Sequence, residues 1–106
     1  MDLIIGNKYK KSDFGITGAV KQWSEFTVEG KLFTFFSNIS EYDNIIKEDG
    51  FVYEGRGSYV LIPYKIIADL HRHVFLKEEK GSYYTYLGIG KYEKRYDERR
   101  NKIYFK

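Results

Sequence analysis

The sequence predicts a mainly β domain (α+β in class), a small curved antiparallel β-barrel carrying one or two short helices. Three observations carry that reading. Apolar residues recur with a period of two in short stretches. Gly-containing turns separate those stretches. Aromatic residues make up 19% of the chain, 11 of them Tyr and 8 Phe, beside a single Pro. Aromatic side chains fill a pleated, half-buried surface well, and Gly supplies the turns between strands. At 106 residues the chain is expected to be one domain, 1–106, with one modest core.

Residues 1–5 are an apolar start closed by the turn signal Gly6-Asn7. Residues 11–18 read as a loop, in which Ser12 caps at most one helical turn before Gly15 and Gly18 interrupt it. Residues 22–28 alternate, with Trp23, Glu25 and Thr27 on one face and Ser24, Phe26 and Val28 on the other. Glu29-Gly30 is a two-residue hairpin turn leading to a return strand over 31–36. That strand carries apolar residues on both faces, so it is placed in the centre of a sheet or barrel. Residues 41–46 read as an ordered loop or single turn. Asp49-Gly50 opens a strand over 51–54, which ends at Gly55-Arg56-Gly57. Pro63 suits the first turn of a short helix over 63–70, with Ile66, Ile67 and Leu70 on its packed face.

The stretch 70–90, LHRHVFLKEEKGSYYTYLGIG, reads as a strand, a charged turn and an aromatic strand. His71, His73 and Phe75 alternate with Arg72, Val74 and Leu76. On the return, Tyr84 and Tyr86 point inward, and Tyr83 is the surface candidate. Gly88-Ile89-Gly90 marks a place where the strand bends or opens as the chain leaves the barrel. The tail admits either a helix, with Tyr92 and Tyr96 four apart, or a hairpin turning at 97–101. Alternation of Ile103 and Phe105 with Lys102, Tyr104 and Lys106 favours the hairpin.

Charge is distributed unevenly. Residues 1–90 hold 11 Lys/Arg against 12 Asp/Glu, whereas 91–106 hold 7 against 3. The basic C-terminal segment is therefore either a phosphate-tracking contact or a solvated, lysine-rich strand edge. The absence of Cys excludes disulfides and thiolate metal sites. No apolar run approaches the roughly 18 residues of a membrane span, so a soluble cytoplasmic protein without membrane contact is expected.

Catalytic signatures are missing. No Ser stands in a nucleophile-elbow context, and the glycine spacing fits neither phosphate-binding nor dinucleotide-binding loops. His71 and His73 share a face at a spacing compatible with two metal ligands, but neither Cys nor further His supplies a third. No enzyme, metal or cofactor is expected. A tyrosine-rich β module with basic residues suits nucleic acid instead, because aromatic faces stack bases and guanidinium groups take phosphates. The candidate stacking residues are Trp23, Tyr53 and Tyr83. The candidate phosphate or base-edge residues are Arg56, Arg72, Arg95, Arg99 and Arg100.

The motif order adds a resemblance. A Gly-x-x-Tyr start (Gly6, Tyr9) precedes an apolar strand ending at Asn38 and then Tyr42-Asp43. Next come Asp49-Gly50-Phe51-Val52-Tyr53-Glu54-Gly55, His71-Arg72-His73-Val74-Phe75 and Tyr84-Thr85-Tyr86-Leu87-Gly88. Across 6–90 this resembles the N-terminal DNA-reading domains of McrA-like HNH restriction endonucleases. It also looks like a small domain that follows helicase domains in bacterial defence proteins. Both lie near the SRA- and PUA-like β-barrels, which include readers of methylated, hydroxymethylated or phosphorothioate-marked DNA. The resemblance implies an SRA/PUA-like barrel with its mouth at 53–57 and the segment before Trp23. It implies a partner in double-stranded DNA, modified or not, and a nuclease or helicase domain on the same or another chain. The HNH motif itself is absent from this sequence. The expected function is thus a recognition module of a restriction or phage-defence system. The competing expectation is a protein-interaction or inhibitor module that binds no nucleic acid.

Overall fold

The computed structural model describes residues 2–20, 23–37, 45–54, 71–95 and 100–106. The expected helix over 63–70, the Gly55-Arg56-Gly57 loop and the turn residues 97–99 lie outside the described residues. The strands are β1 (Lys8–Lys10), β2 (Trp23–Val28), β3 (Lys31–Ser37), β4 (Ile45–Lys47), β5 (Gly50–Glu54), β6 (His71–Lys77), β7 (Tyr83–Arg95) and β8 (Arg100–Phe105). They form one sheet in the order β2-β3-β6-β7-β8-β5-β4. The β3–β6 pair is parallel, and the others are antiparallel.

The 13-residue β7 is the spine of this arrangement. One of its edges carries β6. The other is shared, with β1 pairing to Tyr83–Thr85 and β8 to Gly90–Arg95. Between Val74 and Phe75 the β6–β7 register slips, so Phe75 faces Tyr86, Val74 faces Gly88, and Leu87 is the extra residue. Gly88 has φ 121°, which a side chain would strain against, and this bulge lets β7 twist and change partners without ending. The expected opening at 88–90 is thus a bulge within a continuous strand.

The sheet carries apolar residues on both sides. On one, Phe36, Phe51, Tyr53, Val74, Leu76 and Ile103 form a buried cluster, with Trp23 and Leu87 packed against it. On the other, Phe33, Phe35, Phe75, Tyr84, Tyr86 and Ile16 form a second, covered by Leu3, Tyr9 and Phe14 of the N-terminal segment. Phe35 and Phe75 are stacked at 4.6 Å with an interplanar angle of 13°. The 3-10 turn Lys11–Phe14 brings Phe14 onto this face and ends at Gly15 in the left-handed region, φ 73°.

Several expectations are met directly. Glu29 and Gly30 both have positive φ, 51° and 78°, as a two-residue hairpin turn of the primed kind requires. The β6–β7 hairpin and the β7–β8 hairpin both form. Three expectations are corrected. The described strands make an open mixed sheet with β2 and β4 at opposite ends, not a closed antiparallel barrel. Its two apolar faces each need a separate cover, and the parallel β3–β6 pair breaks the up-and-down order a simple barrel follows. Ile45 and Ile46, expected in a loop, form β4 against β5. Finally, the basic segment is no sheet edge: β8 lies between β7 and β5. Lys102 there is 6% exposed, with Nζ 2.8 Å from Asp49 Oδ1 and 4.6 Å from the Tyr104 ring.

Candidate functional site

The structure separates the eight candidate residues. Arg56 and Arg99 lie outside the described residues. Tyr53 is 1% exposed and packs its ring 4.7 Å from Phe36. Trp23 is half-buried against the same pair, 6.2 Å from Phe36 and 6.0 Å from Tyr53. These rings fill the core; Tyr53 presents no face to a base. Period-two counting had put Trp23 on the more polar side of β2, but that side packs against Phe36, opposite Trp23 in the register.

Arg72 is likewise an interior residue, 1% exposed. Its Nε lies 3.1 Å from Glu25 Oε2, and Thr34 Oγ1 donates to the same oxygen at 2.5 Å. The guanidinium therefore ties β6 to β2 across β3. It is neutralised where it stands and is not offered to a phosphate at the surface. Arg95 ends β7, opposite Asn101, and Arg100 opens β8, opposite Glu54.

Tyr83 is the exception. It is 55% exposed, the only aromatic so open among the residues whose side chains are described. Pairing of β1 with β7 puts Lys10 opposite Tyr83, and Lys10 Nζ stands 5.7 Å from the ring centroid. Lys8 faces Thr85 one pleat further along. Beside this edge is a cavity of about 460 Å³ lined by Lys10, Lys11, Ser12, Lys77, Ser82 and Tyr84, with no carboxylate among its described lining residues. Lys77 Nζ donates to Gly81 O at 2.9 Å and lies 4.8 Å from the Tyr84 ring. Burial first, and then the Lys11 charge, hold the Lys77 ammonium below its usual range. Lys11 in turn donates to Gly18 O. Acids stand nearby: Asp13 Oδ2 accepts from Lys10 N at 2.8 Å, and Glu78 and Glu79 border a separate hollow of about 320 Å³ on the outer side of Tyr83.

The lysines of this edge were missed from the sequence, although a signal was there. Lys8-Tyr9-Lys10 alternates polar, aromatic, polar, which is a three-residue strand with Tyr9 inward and both lysines outward. Its brevity hid it.

The two histidines share a face, as the alternation requires. His73 Nδ1 lies 2.7 Å from the Tyr86 hydroxyl and its ring 4.9 Å from Phe33. Burial, and secondarily Lys31, lower its pKa from the ordinary 6.5. Among the described residues no three His, Cys, Asp or Glu side chains group closely enough to hold a metal ion. Nor is any described helix long and apolar enough to cross a membrane. No family model, curated protein or solved structure matches this chain.

Proposed function

We propose that this chain is a nucleic-acid-binding recognition module that meets DNA along the β1–β7 edge. The observation that carries the reading is Tyr83, an aromatic ring held open to solvent beside Lys10 while the other candidate rings are packed inward. An exposed ring contributes stacking with any base, and lysines around it supply the salt-sensitive phosphate term. The motif order that resembles McrA-like and SRA/PUA-like domains supports the finer proposal. In that version the DNA is double-stranded and carries a base or backbone mark, and the module serves a restriction or phage-defence system beside a nuclease or helicase domain. Its role is recognition and not catalysis.

The test is retention of DNA duplexes with different base and backbone modifications at two salt concentrations. The expected result is affinity that falls steeply with salt and rises for one mark. Tyr83→Ala should weaken binding by about 1–3 kcal/mol, the worth of one stacked base. Equal retention of marked and unmarked duplexes would leave DNA binding standing and remove mark reading. No retention at low salt would remove both.

One observation favours a second reading, a protein-interaction or inhibitor module: Ile4 and Ile5 are 58% and 70% exposed at the start of the chain, and Ile46 on β4 is 49% exposed. A partner-bound form that survives high salt and loses its partner on Ile5→Ser would carry that reading instead.

A further inference from the structure

At the other end of the sheet from Tyr83, the parallel β3–β6 pair opens onto a second basic cavity. The register sets Leu32 beside Arg72 and Phe33 beside His73. Lys31 and His71, one residue before these partners on each strand, line the same cavity. Lys106 is drawn in from the C-terminus, its backbone N–H donating to Ile89 O at 2.8 Å. The result is a cavity of about 290 Å³ lined by Lys31, His71, His73 and Lys106 around the apolar Leu32 and Ile89. Arg72 also borders it, but its charge is answered by Glu25. Among the described lining residues no side chain is a carboxylate. Glu29 borders a small hollow that also touches Lys31 and His73.

From this arrangement we infer that the cavity binds a phosphate monoester, with Lys31, Lys106 and His71 around the phosphate and the His73 ring and Ile89 beneath the group that bears it. Two histidines on one strand face invite a metal, yet two ammonium groups stand in the same wall and repel one. The same two ammonium groups attract an oxyanion. The charge of the site argues for a monoester in particular. A phosphodiester bears one negative charge and is met by scattered surface lysines, whereas convergent cations match a terminal phosphate of about −1.5 to −2. The size agrees, since about 300 Å³ is the lower end of small-molecule sites and admits a phosphate with one ring system. Position is also supplied in advance: the Tyr86 hydroxyl engages Nδ1 of His73, and Phe33 braces its ring, so the other nitrogen, Nε2, has a fixed direction.

The same phosphate monoester occurs on a free nucleotide and at the 5′ end of a DNA strand, and the experiment distinguishes them. The full chain is titrated with inorganic phosphate, adenosine 5′-monophosphate, adenosine, and a short single strand with or without a 5′-phosphate. Imidazole NMR signals of His71 and His73 and calorimetry are the readouts. Phosphate and the monophosphate should move both ring signals, with the monophosphate at least tenfold tighter than adenosine. Lys31→Met combined with Lys106→Met should weaken it tenfold or more. Both lysines are exposed, so the fold should tolerate their loss, and a circular dichroism spectrum checks that. Preference for the 5′-phosphorylated strand over the monophosphate assigns a strand end; the reverse assigns a free nucleotide. Ring signals unmoved by the monophosphate, or a double variant that titrates like the parent, would overturn the inference. Tyr83→Ala should leave this site unchanged, so the two proposals fail separately.

Discussion

Arg72 shows how one side chain can be read in two ways from its neighbours in sequence. Between two histidines on a strand it looks like a ligand for phosphate. What the sequence does not display is Glu25, which arrives from β2, two strands away, to meet its Nε at 3.1 Å. Removing one partner of an interior pair leaves the other charge unanswered, at a cost of about 3–5 kcal/mol in a fully buried case, less here because Glu25 is 14% exposed. Arg72→Met should therefore lower the urea midpoint well below that of the double variant Arg72→Met/Glu25→Gln. Equal midpoints would mean that the pair is not coupled. His73 gives a second expectation. Its folded pKa is below 6.5, so just under that pH the unfolded chain holds more protons than the folded one. Stability from this group is full above about 6.5, falls as the pH drops from there to the lower folded value, and then levels. In His73→Gln that part of the acid-side decline should vanish in urea titrations between about pH 5 and 8. An undiminished decline in the variant would assign it to other groups.

At the scale of elements, period-two alternation and turn chemistry made β2, β3, β6 and β7 legible, together with the hairpins that join β2 to β3 and β6 to β7. These are local signals, complete within ten or twenty residues. The parallel β3–β6 pairing was not legible, because nothing in either strand names its partner. Nor were β1 and β4, each three residues long and below the length at which alternation can be counted. Two glycines acquire their meaning only from the pairing. A Cβ on Gly90 would sit 2.2 Å from Ile103 Cγ2, and one on Gly50 would sit 2.5 Å from Ile103 O. β8 is thus clamped on both sides by strands that must come close to Ile103. Gly90→Ala should destabilise by about 1–3 kcal/mol as an overpacked core does, and combined with Ile103→Ala, which removes Cγ2, it should cost less than the two single losses added. An alanine variant as stable as the parent would show that β8 can shift. The turn at Glu29 works in the opposite direction. An L-residue at φ 51° is strained, and Asn tolerates that region far better. Glu29→Asn should raise stability by about 0.5–1 kcal/mol, visible as a higher thermal midpoint.

For the molecule as a whole, the aromatic content is spent chiefly on two cores, one on each face of an open sheet. That is why most of the aromatic residues proposed from the sequence as a reading surface are not one. Composition alone cannot tell a ring that fills a core from a ring that meets a ligand; the distinction depends on which pleats are covered. Charge meets the same limit. The excess of Lys and Arg lies in 91–106, but β8 is threaded through the middle of the sheet, and Lys102 is spent on Asp49. The edge that gathers lysines around an open ring is made instead by residues near both ends of the β1–β7 pairing, Lys8, Lys10 and Lys11 with Lys77. If that edge is where DNA phosphates lie, the salt dependence of binding should follow it and not the tail. Each phosphate contact contributes about −0.9 to the slope of log affinity against log salt, so Lys10→Met with Lys11→Met should flatten the slope by nearly two. Glu78→Gln with Glu79→Gln, which removes the acids beside Tyr83, should tighten binding at low salt with little effect on the fold. Arg95→Gln with Arg100→Gln should change the slope less than the lysine pair does. A larger loss from the arginine pair would return the interface to the C-terminal segment and leave the Tyr83 edge without its phosphate contacts.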